Sequence, residues 1–198
     1  MRTVVCILAV SVAIAPRASF AQKLPGLGGG EVRFGVADPA NADKGYTYAL
    51  ELDAGYLWRP ALRSYIGLEG FKSDVAVTVA GADVGGSIKG TGLETGVRYD
   101  LLPEGRLSPY GVAGLNFSNV SANGVSEPST ADLLDGFHVA VTLGGGLAWH
   151  LGTKHTWSAV GDLRYITGTN VGRTVVTAGM RWSPRGRGMY TPEPKSSG

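Results

Sequence analysis

From Tyr46 to Trp58 the chain alternates without interruption: Tyr46, Tyr48, Leu50, Leu52, Ala54, Tyr56 and Trp58 occupy the even positions, with Thr47, Ala49, Glu51, Asp53, Gly55 and Leu57 between them. A period of two over 13 residues, with one face wholly apolar, marks a β-strand lying between two different environments. The division recurs. Val32, Phe34 and Val36 alternate with Glu31, Arg33 and Gly35; Leu93, Val97, Tyr99 and Leu101 with Glu94, Gly96, Arg98 and Asp100; Trp157, Ala159, Leu163 and Tyr165 with Ser158, Asp162 and Arg164. In Phe137 to Leu151 the apolar set is Phe137, Val139, Val141, Leu143, Leu147, Trp149 and Leu151, set against His138, Thr142, His150 and small residues. No stretch reaches the 18 or so apolar residues of a spanning helix, so a chain of this kind either is soluble or crosses a membrane with strands.

Three further segments, Leu62 to about Lys72, Pro109 to about Val120 and Val175 to Trp182, bring the expected strand count to eight. In the segment after Pro109, Tyr110 and Val112 share one parity and Leu115 and Phe117 the other, which a bulge near Gly114 would reconcile. Expected connections alternate between short turns, at 59–61, 103–107 and 152–154, and longer loops near 38–45, 74–86 and 121–136; the last, near 168–173, is short.

Aromatic placement decides which solvent meets the apolar face. A soluble barrel hides that face inside, whereas an outer-membrane barrel turns it to lipid and rings both interfaces with aromatic residues. Tyr46 and Tyr48 stand 10 residues from Tyr56 and Trp58. At ~3.3 Å per residue and ~40° of tilt the pairs are roughly 25 Å apart along the normal, the height of the lipid band. Tyr99, Tyr110, Trp149, Trp157 and Trp182 fall near the short-turn ends, which places all four tryptophans, Trp58 included, at one rim. The expected fold is all-β, an eight-stranded antiparallel up-and-down transmembrane β-barrel over residues 31–182.

The flanks fit that placement. Residues 1–21 carry Arg2, the apolar run Val4 to Ala15 and the small-residue box Ala18-Ser19-Phe20-Ala21, which together read as a secretory signal peptide. Cleavage after Ala21 removes the single cysteine, Cys6, and takes Arg2 and Arg17 from 18 bases, leaving 16 against 16 acids. A neutral mature chain offers no case for a nucleic-acid partner. Residues 22–30 read as a Gly-rich linker and 183–198, rich in Pro, Gly and Ser, as a flexible periplasmic tail.

Strand Tyr48 to Trp58, Ser108-Pro109-Tyr110-Gly111, Asp162-Leu163-Arg164-Tyr165 and the closing Thr177-Ala178-Gly179-Met180-Arg181-Trp182 give a pattern that resembles the eight-stranded outer-membrane β-barrel family, the porin-like group that includes the OmpA transmembrane domain and OmpX. The resemblance implies residence in the outer membrane of a Gram-negative bacterium, with membrane lipid as a partner. Family members usually end in an aromatic residue that the assembly machinery reads, whereas here Trp182 is followed by 16 residues.

The expected lumen gathers Glu31, Arg33, Glu51, Asp53, Arg63, Glu69, Glu94, Arg98, Asp100, Asp162, Arg164 and Arg181. With eight strands the interior is just wide enough to be filled by side chains, and buried charges must pair, so a structural network is expected rather than an open pore. His138, His150 and His155 lack metal-ligand spacing, and His155 beside Ser158 makes only a weak catalytic pairing. No catalytic residue, metal or cofactor is expected. Val75, Val77 and Val79 alternate with Ala76 and Thr78, as in strands continued past the membrane into a protruding hairpin whose edges could pair with another chain. The stretches 74–86 and 121–136 are the expected external surfaces, open to an extracellular protein or surface ligand. The functional expectation is therefore a non-enzymatic barrel with a structural or adhesin-like surface role; the alternatives are a narrow porin-like conduit for small solutes and a lipid-modifying enzyme.

Overall fold

The alternating segments become eight strands in the computed structural model: β1 (Gly29–Pro39), β2 (Gly45–Tyr56), β3 (Leu62–Val79), β4 (Ala82–Asp100), β5 (Leu107–Asn123), β6 (Gly136–Leu151), β7 (Trp157–Thr167) and β8 (Arg173–Trp182). Each pairs antiparallel with the next, and β1 pairs with β8 to close the sheet into a barrel. The structure describes residues 28–39, 42–57, 61–79, 82–103, 105–123, 135–152, 156–167 and 172–183. The expected signal peptide, and the expected tail beyond Ser183, lie outside the described residues.

The stagger of the barrel follows from its register. The row of partners that leaves β4 at Asp100 passes through Tyr110, Gly146, Asp162, Thr177, Gly35, Thr47 and Phe71 and returns to β4 at Gly90, from position 100 to position 90, a stagger of ten. For eight strands at standard spacing this corresponds to a tilt of about 40° and a radius of about 8 Å. Such an interior admits side chains and little else. Large apolar side chains face outward, among them Phe34, Leu50, Leu68, Val139, Leu163 and Val176, while charged and small residues face inward.

Several expectations change. The even-odd alternation of β2 does not run unbroken to Trp58: a bulge between Asp53 and Gly55 shifts the register, with Gly55 at φ +111° and its N–H donating to Asp53 Oδ1 over 2.9 Å. Strand β5 needs no bulge near Gly114, because its pairing with β4 is continuous from Tyr110 to Asn123. Gly29 and Gly30, read as linker, belong to β1 and pair with Asp53 and Leu52. Ser183, placed in the tail, is buried and donates its N–H to the Thr156 carbonyl. Much of the length expected in loops is strand: β3 to β6 run 18, 19, 17 and 16 residues, against 11, 12, 11 and 10 for β1, β2, β7 and β8. One wall of the barrel is therefore taller than the other.

Candidate functional site: the closed lumen and the outer hairpin

Four arginines and four acids from five strands meet inside the barrel. Arg33 of β1 lies 3.2 Å from Glu31, 3.1 Å from Glu51 and 3.0 Å from Asp162. Arg98 of β4 reaches Glu51 at 2.6 Å and Glu31 at 3.3 Å, while Arg164 of β7 reaches Glu94 at 2.6 Å, Asp162 at 2.7 Å and Glu51 at 3.1 Å. Arg181 of β8 donates from Nε to Glu31. The cluster balances, four charges of each sign, and every member is nearly sealed from solvent. Each guanidinium offers five donors in a rigid fork, which lets one arginine serve two or three carboxylates on different strands. Removing one partner would leave a buried charge uncompensated, so the cluster also fixes which strands lie together.

Two tyrosines complete it. Tyr65 donates to Glu94 over 2.6 Å and Tyr110 to Asp162 over 3.0 Å. The guanidiniums of Arg98 and Arg181 stand 4.7 and 5.1 Å from the centre of the Tyr110 ring. Glycine makes this room: a Cβ on Gly96 or Gly114 would lie 2.9 Å from the Tyr65 hydroxyl, and one on Gly146 would lie 2.6 Å from that of Tyr110. The run Gly144-Gly145-Gly146 therefore serves close packing inside the wall. Nearer the short-turn end, Arg63 sits 2.5 Å from Asp53 and 3.7 Å from Asp100.

Glu69 stands apart from this cluster. It pairs with Arg173, whose guanidinium lies 4.3 Å from the centre of the Phe71 ring. Around that pair an apolar layer crosses the lumen at its other end: Ala37, Phe71, Ile88, Val120, Ala140, Ile166 and Val175, all buried. Between the two, Asn116, Ser118, Thr142 and Thr177 face inward with side-chain polar atoms that have no protein partner among the described residues. Buried groups of this kind are ordinarily satisfied by ordered water.

The aromatic expectation divides. Tyr46, Tyr48, Tyr99, Trp149, Trp157 and Trp182 lie on the outer surface, each about half exposed. Tyr110 does not join them: it is 3% exposed and inside, because regular alternation along β5 gives it the parity of the buried Ser108 and Val112. Trp58 lies outside the described residues, and so does the side chain of Tyr56. Of the histidines, His155 lies outside the description, and Ser158 hydrogen-bonds His150 instead, Oγ to Nδ1 at 2.7 Å, both 1% exposed. Among the described residues no cluster of His, Cys, Asp or Glu is arranged to hold a metal ion.

Sequence reading passed over Tyr65, Arg173 and the His150–Ser158 pair, although parity carried the signal for the first two. Tyr65 lies in step with Arg63 and Glu69, and Arg173 with Val175 and Arg181. The expected hairpin exists as backbone: β3 and β4 pair down to Val79↔Ala82, past the last rows shared with β2, at Tyr46↔Lys72, and with β5, at Ser87↔Asn123. The side chains of Val75, Val77 and Val79, and residues 124–134 of the other expected surface, lie outside the described set.

The sequence matches the family model described as outer membrane protein beta-barrel domain over residues 4–183. The chain belongs to that family. It is an outer-membrane barrel of a Gram-negative bacterium, its apolar surface facing lipid. No curated protein matches it in sequence. Among solved structures the barrel resembles OprG from Pseudomonas aeruginosa (TM-score 0.57, 12% identity, 79% of this chain and 96% of that one). It is also similar to Neisserial surface protein A (0.53, 16%, 78% and 96%). A third is Ail, the attachment invasion locus protein of Yersinia pestis, in complex with the heparin analogue sucrose octasulfate (0.52, 11%, 78% and 96%). At these identities the likeness is one of fold. By that fold the β2–β3, β4–β5 and β6–β7 turns of this outer-membrane barrel face the periplasm and the β3–β4 hairpin faces outward.

Proposed function

We propose that this outer-membrane barrel is a non-enzymatic, non-conducting protein whose role is played at the cell surface by the β3–β4 hairpin. The observation that carries this reading is the double closure of the lumen, by the Arg–carboxylate cluster in the periplasmic half and by the apolar layer around Phe71 in the outer half. An ion crossing would have to break paired buried charges and then pass the apolar side chains around Phe71, each step costly. Lipid chemistry at Ser158 is disfavoured by position, since its hydroxyl faces the lumen and never the lipid.

The hairpin supplies the surface. From Val75↔Gly86 to Val79↔Ala82, five residue pairs stand beyond any neighbouring strand among the described residues, a projection of about 16 Å. Among the described residues its two edges face no neighbouring strand, and an extended segment of an extracellular protein can add to their backbone donors and acceptors as a further strand. Purified barrel in planar bilayers is expected to give no conductance steps, and cells whose barrel has 75–86 replaced by a two-residue turn are expected to lose attachment while keeping the barrel in the membrane. Conductance by the intact chain would favour the porin-like conduit, and unchanged attachment would remove the hairpin from the function.

A further inference from the structure

Two lysines face each other on the lipid side of the barrel. Lys72 of β3 and Lys89 of β4 are direct cross-strand partners. Both point outward, because their neighbours Phe71 and Ser73, and Ile88 and Gly90, are buried inside. Directly opposed positions bring Cβ atoms within about 5 Å, and like charges so placed repel and destabilise the sheet. Among the described residues neither lysine joins an ion pair. The nearest outward acid along β3 is Asp74, two residues further out. Among the described residues Asp74 forms no ion pair with either lysine, which leaves both ammonium groups open to a counter-charge from outside the chain.

The location says which anion. One partner row runs Tyr46↔Lys72↔Lys89↔Ser121 across β2 to β5; two rows below it stand Tyr48, Gly70 and Thr91, and four rows below it the outward residues are Leu50, Leu68 and Leu93. The lysines thus sit just above the apolar band, at the outward end of the barrel, with the exposed ring of Tyr46 beside them and the exposed Ser121 on the far side. That is the depth of lipid headgroups in the outer leaflet. We infer that Lys72 and Lys89 form a clamp for the phosphate of an outer-leaflet glycolipid, one phosphate accepting hydrogen bonds from both ammonium groups and the Tyr46 ring packing on the lipid beneath. Two flexible stems, each able to carry its charge up or down along the wall, suit a headgroup whose height fluctuates. The clamp does not depend on the surface role of the hairpin and stands if that role fails.

The test uses the full chain refolded in neutral detergent, with its unfolding midpoint followed by the heat-dependent gel shift. Bisphosphorylated lipid A is expected to raise the midpoint by several degrees, and lipid A stripped of phosphate, or inorganic phosphate at the same concentration, to leave it in place. Lys72→Gln/Lys89→Gln should lose that rise while unfolding no earlier than wild type in plain detergent, since the substitution relieves repulsion; Lys44→Gln, an exposed lysine of the β1–β2 connection, should keep it. Native mass spectrometry provides a second reading, with one fewer tightly held lipid A on the double variant. The proposal is overturned if stripped lipid A protects equally, if inorganic phosphate alone reproduces the rise, or if the double variant retains the full rise and the full lipid count.

Discussion

The periplasmic and outer halves of the lumen are built from the same eight strands and filled in opposite ways. In the lower half Arg33, Arg98 and Arg164 each contact two or three acids, so the side chains are bound into one electrostatic unit. In the upper half seven apolar side chains pack with the Glu69–Arg173 pair beside them. Charge networks depend on every member because each buried ion needs its counter-ion, whereas apolar packing is a sum of small, nearly independent contacts. The lower half should therefore fail abruptly and the upper half gradually.

The largest effect is expected at Arg164. Replacing it with Leu leaves Glu51, Glu94 and Asp162 short of a cation and should destabilise the barrel by about 3–5 kcal/mol, measured by urea unfolding in lipid vesicles. Adding Glu94→Leu should recover part of that loss; a double variant as unstable as the sum of the two singles would contradict a coupled network. Leu52→Arg, which puts a charge on the lipid-facing surface of β2, should cost roughly 2–4 kcal/mol in the same assay. Unchanged folding there, with Asp53→Leu destructive, would reverse the assignment of inside and outside.

Tyr110→Phe distinguishes a lumen residue from a girdle residue. Loss of its hydrogen bond to the Asp162 carboxylate should cost about 1.5–3 kcal/mol, whereas a ring at the lipid interface would tolerate the change with little effect. The smallest effect belongs to the apolar layer: Ile166→Val should cost about 0.5–1.5 kcal/mol and leave planar bilayers without conductance steps, since the lower closure remains intact. A loss as large as that of Arg164→Leu would erase the contrast between the halves.

Much of this was legible because a strand repeats its environment every second residue. Glu31, Glu51, Arg98 and Arg181 fall inside, and Val32, Leu50, Val97 and Met180 outside, as parity requires. Parity misled where it was read across a break or a supposed break. Tyr110 falls near the short-turn end, where an aromatic residue reads as girdle, and Gly111 and Ala113, the small residues on the outer face of β5, give no apolar signature there to mark the other parity as inward. In β2 the reverse happened, and the bulge at Gly55 interrupts an alternation that the residue types continue without a mark. Arg173 was missed because it begins its strand, where turn and strand look alike in sequence.

Eight amphipathic strands, an apolar exterior and a polar interior follow from neighbouring residues and their hydropathy alone. Which inward side chains meet follows from the closed sheet. Closure with a stagger of ten brings Arg33 to Asp162, 129 positions away, and carries Arg164 across the lumen to Glu51, 113 positions away. It also separates the lumen into a half filled by the Arg–carboxylate cluster and a half filled mainly by apolar side chains, because which inward residues share a level depends on the register of all eight pairings at once, and no local pattern encodes that sum.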